Sequence, residues 1–508
     1  MKKARILFIP TLIAAAALLS QTGCAVKSGE AADLAFRLAY AKTVGKTPVS
    51  GRVIIGFQSD PLKSVDTPNP FDPQLSLAWD VRDWKPGDSI VLKRSEAEIW
   101  PETLDLPDGW YAVQAVLKVN RKSRSLNAEG NAVSNKNVVW IDDESRSRPI
   151  DLLVNILARK RPAFKETEFI KEVNFESPLL TRFYGEPESI QAAVILPESY
   201  FKNPDKRYPS VYVMGGVGAT HFDALSGAPQ KRYGMSGFGV EKVFIFINIE
   251  CRTGWHNFVT SETNGPREES FFQELVPFIE KEYRVDLDPR TRFLTGQSSG
   301  AWAALWLLLR QPDQFGAAYA GSPDPVDFTE FTGTNIYEKN ANMFVGPDGT
   351  LKVFNPAAKP NSYGLMTLKD FAAIDRIAGW GEQMDSFDAT FSKKGPDGGP
   401  RRLFDWHTGA VDPQVASLYA AFDLSRVVSA FSQKQKDLLA DKIRIFVAAD
   451  DDFGLDRPVR AFEKAATAAG LRAGLRFLES GGHAVWTDEV RKAIHEDMDR
   501  KIAAEAAR

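Results

Sequence analysis

The sequence predicts a mostly parallel β-sheet covered by helices on both faces, preceded by a smaller β-sandwich-like domain. Three observations carry this reading. From about residue 190 onward, short and strongly apolar runs ("IQAAVILP", "YPSVYVMGG", "KVFIFINIE", "TRFLTG", "AAYAGS", "KIRIFVAAD", "LRFLES") recur with helical segments between several of them. Strands that are apolar throughout and separated by helices belong to a sheet buried on both faces. From about 50 to 160, short apolar or alternating runs ("GRVIIGF", "QLSLAWDV", "SIVLKR", "WYAVQAVLKV", "NVVWID") are punctuated by turn-forming stretches such as "DTPNP", "DWKPGDS" and "LPDGW". Finally, 508 residues exceed one ordinary domain.

The chain opens with "MKKARILFIPTLIAAAALLSQTGCA". Lys2, Lys3 and Arg5 precede an apolar core from Ile6 to Leu19, and small residues follow. This is the pattern of a secretory leader over 1–24, too short and wrongly flanked for a stable membrane span. Cys24, after Thr22 and Gly23, resembles the cysteine of a bacterial lipobox, although Gln21 stands where Leu is usual. Cleavage after Ala25 is the alternative. The expected location is the periplasm, the outer membrane or the exterior, with membrane contact only through a lipid on Cys24. The other cysteine, Cys251, reads as a small residue at a strand end. Two cysteines exclude a disulfide-stapled scaffold and a Cys-rich zinc site.

A charged content of 25% and a net charge of −3 fit an ordinary globular chain and argue against a nucleic-acid partner. The β-rich domain, about 30–165, clusters no catalytic residue types. In the domain that follows, 166–508, "EESFFQELVPFIEKEYRV" puts Phe271, Phe272, Leu275, Phe278 and Ile279 on one helical stripe. "GAWAALWLLLRQP" reads as a buried helix stopped by Pro312, and "RPVRAFEKAATAAG" as a helix closed by Gly470. Residues 329–440 are rich in Gly, Pro, Asn and Asp, with some helix toward their end. They read as an insertion on the α/β core, of the kind that forms a lid or cap.

The chemistry centres on Gly296-Gln297-Ser298-Ser299-Gly300. A lone G-x-S-x-G means little, but this one joins a short apolar strand to a helix, the arrangement that exposes a nucleophilic serine on a sharp turn. Glycines at 296 and 300 avoid collisions with neighbouring backbone. The helix N-terminus favours negative charge at the turn. The required base is sought among five histidines. His221 and His256 precede Ser298, against the chain order Ser, acid, His; His407 lies in the insertion; His495 reads as a surface residue of a helix. His483, in "ESGGHAVW", follows a strand in a loop made pliable by two glycines. The acid is expected after a strand between the two, where "IRIFVAADDDFG" offers Asp450, Asp451 and Asp452. We read Asp452 as the acid, with its two neighbours as alternatives. Such a cluster also suits a divalent cation, but no H-x-H or H-E-x-x-H spacing accompanies it. For the oxyanion, the backbone N–H of Ser299 and that of Val217, beside Gly216 in "VYVMGGVG", are the expected donors.

Together, "YPSVYVMGG", "FFQELVPFIEKEYRV", "TRFLTGQSSGAWAALWLLLRQPDQFGAAYAGSP", "IRIFVAADDDF" and "GGHAVW" resemble the Putative esterase family, which includes esterase D, enterochelin esterase and feruloyl esterase relatives. The resemblance spans roughly 175–500, least over the insertion. It implies an α/β-hydrolase fold with Ser-Asp-His catalysis, no cofactor and no metal. By motif position Ser298 matches the nucleophile and His483 the base, and Asp452, being followed by Phe453, the acid. Two departures stand out: Gly215 replaces the usual His of a His-Gly-Gly loop, and Ser299 replaces Met or Ala after the nucleophile. The segment "GWHNFVTSETNGPREE" resembles a substrate-side loop, which would bring Trp255, Asn257 and Asn264 to the pocket. The expected function is an exported serine esterase acting on acyl or feruloyl esters of carbohydrates or on siderophore-type esters. An acyltransferase with the same triad, and a non-catalytic glycan- or protein-binding protein on a hydrolase scaffold, are the alternatives.

Overall fold

The computed structural model describes residues 33–506 apart from 66, 67, 70–72, 103–105 and 357–365. The leader and Cys24 lie outside the described residues. The five N-terminal runs read from the sequence are strands. Ala35–Tyr40, Glu98–Trp100, Ala132–Ser134 and Ile150–Leu157 complete a nine-stranded sheet. Along that sheet Ala35–Tyr40 stands four strands away from Val49–Gln58, which in a flat sheet means ~19 Å. Yet the ring of Phe36 lies 6.0 Å from that of Phe57 and 5.9 Å from that of Trp79. The sheet therefore folds over itself like a sandwich, and Leu38, Trp84, Leu117 and Val154 fill the space between its halves.

The second sheet has eight strands. In spatial order they are Ile170–Glu176, Ser189–Ile195, Val243–Ile247, Ser210–Met214, Arg292–Gln297, Ala317–Gly321, Ile443–Ala448 and Gly474–Leu478. Ser189–Ile195 pairs antiparallel with both of its neighbours, and the remaining pairings are parallel. The central strands are buried along their whole length because helices cover both faces. One cover is Ser299–Arg310, buried from Ser299 to Leu309, with Trp302 and Trp306 stacked 5.5 Å apart.

The insertion, between Gly321 and Ile443, holds more helix than its composition suggests. Besides three helices toward its end, it contains Leu368–Ala378 and Gln383–Phe391. Thr367 starts the first of these by a reciprocal capping box with Asp370. Ala373, Ile374 and Ile377 then face Ile54, Ala78 and Trp100 of the β-rich domain. At its far end, four helix-terminal carbonyls would be left open by the helix alone. Two buried cations from the β-rich domain meet them. Arg52 Nε donates to Ile377 O at 2.8 Å and a second guanidinium N–H reaches Arg376 O, while Lys118 Nζ donates to Ala378 O at 3.0 Å and Trp380 O at 2.7 Å. Burial pushes the Lys118 ammonium down to about 7. Arg376 in turn pairs with Glu98 at 2.9 Å and Glu102 at 3.0 Å. The β-rich domain thus grips the insertion through a helix end.

Candidate active site

Ser298 occupies the turn between the Arg292–Gln297 strand and the Ser299–Arg310 helix, with φ 57° and ψ −125°. That backbone is strained for a residue with a Cβ, at a cost of about 1–3 kcal/mol. The turn is also crowded. A Cβ on Gly300 would lie 2.2 Å from Met214 O, and one on Gly296 would lie 2.3 Å from Gly300 O. The two glycines are therefore a packing requirement. The Gly215-Gly216 loop passes close over the serine, since a Cβ on Gly216 would sit 3.1 Å from Ser298 Cβ. Val217 and Gly216 line the cavity above Ser298. Among the described residues, the backbone N–H groups of Val217 and Ser299 meet no acceptor.

His483 lines the same cavity. Its loop bends through Gly481 and Gly482, with φ 146° and 58°. All three aspartates of the preceding strand end hold this loop, each differently. Asp450 Oδ1 accepts from Gly482 N at 2.9 Å, and Asp452 Oδ2 accepts from His483 N at 2.9 Å. The imidazole itself meets Asp451: His483 Nδ1 lies 3.0 Å from Asp451 Oδ2, and that carboxylate is fully buried. The expectation that Asp452 is the ring's partner is therefore corrected to Asp451. The turn directs Asp451 inward, where its Oδ1 also accepts from Phe453 N at 2.9 Å and Leu455 N at 3.3 Å. Asp452 is left to hold the backbone. Gln297 Nε2 donates to His483 O at 2.8 Å, and Phe453 meets the imidazole edge-on at 4.8 Å.

The structure adds a carboxylate that the sequence reading missed. Asp324, at the end of the Ala317–Gly321 strand, is buried and lies against the serine pair. Ser298 Oγ donates to its Oδ1 at 3.1 Å and Ser299 Oγ to its Oδ2 at 2.5 Å. Burial raises its pKa above the usual carboxylate range. The cavity over these residues measures about 440 Å³. The insertion supplies much of its apolar wall, through Phe354, Leu368, Phe371, Met384 and Phe387.

Trp255, Asn257 and Asn264 do not line this cavity, contrary to expectation. Each is at most 1% exposed. Their segment is folded under the Gln383–Phe391 helix, where Trp255 N donates to Ser386 Oγ at 3.1 Å. Asn264 Oδ1 accepts from Thr253 Oγ1 at 2.6 Å. His495 is likewise buried rather than at the surface, with Nε2 3.0 Å from Tyr233 O and its ring stacked on Phe238. His221 is buried against Phe164, which pushes it down to about 4.

No curated protein matches the chain. Several solved structures are similar to it. A ferulic acid esterase shares 21% identity over 66% of this chain and 98% of its own, with a TM-score of 0.39. An S-formylglutathione hydrolase from Agrobacterium tumefaciens shares 14% over 68% and 97%, with a TM-score of 0.37. The fluorophosphonate-binding serine hydrolase F of Staphylococcus aureus shares 14% over 65% and 98%, with a TM-score of 0.37. The model of the family described as Putative esterase matches residues 187–483, more than half of the chain and the whole stretch from the Ser189–Ile195 strand to His483. The chain belongs to the Putative esterase family, and this match supports a serine carboxylic-ester hydrolase on an α/β fold.

Proposed function

We propose that the protein is an exported serine esterase in which Ser298, His483 and Asp451 form the catalytic triad. One observation carries the reading. A serine held in a strained strand-to-helix turn shares a cavity with an imidazole whose far nitrogen is tied to a buried carboxylate. Ser298 Oγ attacks the ester carbonyl while His483 Nε2 takes its proton. Asp451 holds the Nδ1–H tautomer and stabilises the imidazolium that forms. The N–H groups of Val217 and Ser299 receive the oxyanion. His483 returns its proton to the leaving alkoxide, and a water activated by the same imidazole releases the acid. In the free enzyme the Ser298 hydroxyl points to Asp324. Engagement of His483 requires the hydroxyl to turn away from Asp324, in keeping with the loose geometry of unliganded sites.

The cavity, about 440 Å³ with an aromatic and aliphatic wall, suits a small-molecule acyl group of aromatic or branched aliphatic character. Carbohydrate acyl or feruloyl esters and siderophore-type esters are the candidate substrates that the family resemblance suggests. The basic, apolar leader supports export to the periplasm or outer membrane. The test is hydrolysis of an aryl and alkyl ester panel by the wild type and by Ser298→Ala, with trapped acyl-enzyme detected by mass. Turnover that survives Ser298→Ala would overturn the assignment.

A further inference from the structure

We infer that Asp324 is a substrate-binding carboxylate that selects esters of α-amino acids, its partner being the protonated α-amino group of the acyl moiety. The inference rests on Ser298 being the nucleophile. Asp324 is 7% exposed, and what it exposes lines the cavity. Its hydrogen-bond partners are all neutral: the hydroxyls of Ser298 and Ser299, and the Gln383 amide at 3.4 Å. Among the described residues no Arg, Lys or His lies within ion-pair distance of it; His483, which shares the cavity and pairs with Asp451, acts on it only through longer-range electrostatics, and Arg232 lines the same cavity. A buried carboxylate whose direct partners are all neutral donors is costly, and a ligand that brings a cation into contact recovers part of that cost.

Position makes the choice of ligand specific. Asp324 Oδ1 stands 3.1 Å from the atom that becomes bonded to the acyl carbon. A substituent on the acyl α-carbon is two bonds from that carbon, so an α-ammonium falls within hydrogen-bonding reach of the carboxylate. For a neutral ester the same carboxylate opposes the negative charge that develops on attack. A bound ammonium cancels that opposition and also draws Asp324 away from the Ser298 hydroxyl, freeing it for His483. The bond changes are those of any acyl transfer. Ser298 Oγ joins the carbonyl carbon, the ester C–O bond breaks, and the serine proton passes through His483 to the alkoxide.

The test compares three methyl esters that share one apolar body: those of phenylalanine, of 3-phenyllactic acid and of 3-phenylpropionic acid. They are assayed at about pH 6.5, where an α-amine is mostly protonated, with wild type and Asp324→Asn. The expected kcat/KM ratio of the amino ester to the unsubstituted ester is about tenfold or more in the wild type. It falls toward one in Asp324→Asn, with the hydroxy ester resembling the unsubstituted one. A wild-type ratio near one, a ratio unchanged in Asp324→Asn, or a hydroxy ester as good as the amino ester overturns the inference. Fluorophosphonate labelling of wild-type Ser298 separates the two levels. With the label present, a flat ratio or no turnover of any of the three sinks only the substrate assignment. With the label absent and no ester turned over, the serine-esterase reading falls first.

Discussion

Replacing Asp451 by Asn should cost between a thousandfold and ten-thousandfold in kcat, and replacing Asp452 by Asn less than tenfold. The magnitude follows from the pair at 3.0 Å, in which the Asp451 carboxylate is fully buried. When His483 becomes an imidazolium, that charge pair is worth ~5 kcal/mol at an effective dielectric constant of about 20. At ~1.4 kcal/mol per factor of ten this is roughly four orders of magnitude. The local hydrogen bonds explain why the amide cannot substitute. Asp451 Oδ1 is already held by Phe453 N and Leu455 N. In Asp451→Asn the amide oxygen takes that place, and the new NH2 group faces His483 Nδ1. The ring must then accept at Nδ1 and carry its proton on Nε2, where the base should be. Asp452 accepts only from the His483 backbone, a role an amide oxygen fills. Steady-state hydrolysis of an activated ester measures both variants, with near-ultraviolet circular dichroism to verify folding. If Asp451→Asn keeps more than about a tenth of wild-type kcat, or Asp452→Asn falls as far, the assignment of the acid is wrong.

Two further perturbations address the insertion. Burial pushes Asp388 up to about 7, while its side chain accepts from Tyr419 Oη at 2.6 Å and Leu403 N at 2.8 Å. A folded pKa above the unfolded value of about 3.8 means that the folded state holds the proton longer. Stability should therefore fall as pH rises from about 4 to about 7, by on the order of 4 kcal/mol. Asp388→Asn should flatten this dependence and melt higher than wild type at alkaline pH in differential scanning fluorimetry; a variant that melts lower there contradicts the prediction. Arg52→Ala removes two donors from the carbonyl end of the Leu368–Ala378 helix, at ~2–3 kcal/mol for buried acceptors left open. Because Leu368 and Phe371 of that helix line the cavity, KM should rise several-fold with kcat nearly kept. Hydrogen exchange of 368–378 should quicken, and unchanged protection would show that the β-rich domain does not hold this wall.

The parts of the site visible in the sequence are those where backbone geometry restricts residue type. The turn at Ser298 tolerates only glycine at 296 and 300 because each Cβ would strike backbone atoms. The loop before His483 needs positive φ at 481 and 482. Both demands leave a readable signature around the strand, turn and helix. The choice among Asp450, Asp451 and Asp452 has none, since three identical side chains in one turn differ only in direction. Asp324 is an isolated aspartate between two prolines, and its approach to Ser298 depends on how two parallel strands end side by side. The helices of the insertion are hidden by their polar residues, several of which are buried: Asp370, Asp375 and Asp388 interrupt the apolar face that marks a helix in sequence. Arg52 and Lys118 mislead in the same way. Each looks like the exposed member of a strand, yet each is buried on helix carbonyls. Trp255, Asn257 and Asn264 show the opposite error, a polar and aromatic cluster that looks like a binding loop but packs in the interior.

The most direct measurement is reaction of the wild type, Ser298→Ala and His483→Ala with a fluorophosphonate, followed by intact mass and mapping of the modified peptide. An activated Ser298 gives one adduct per wild-type chain, located on Ser298, absent from Ser298→Ala and formed far more slowly by His483→Ala. An adduct on another residue, or a folded wild type that forms none while a cavity of this size is open to the probe, would contradict it.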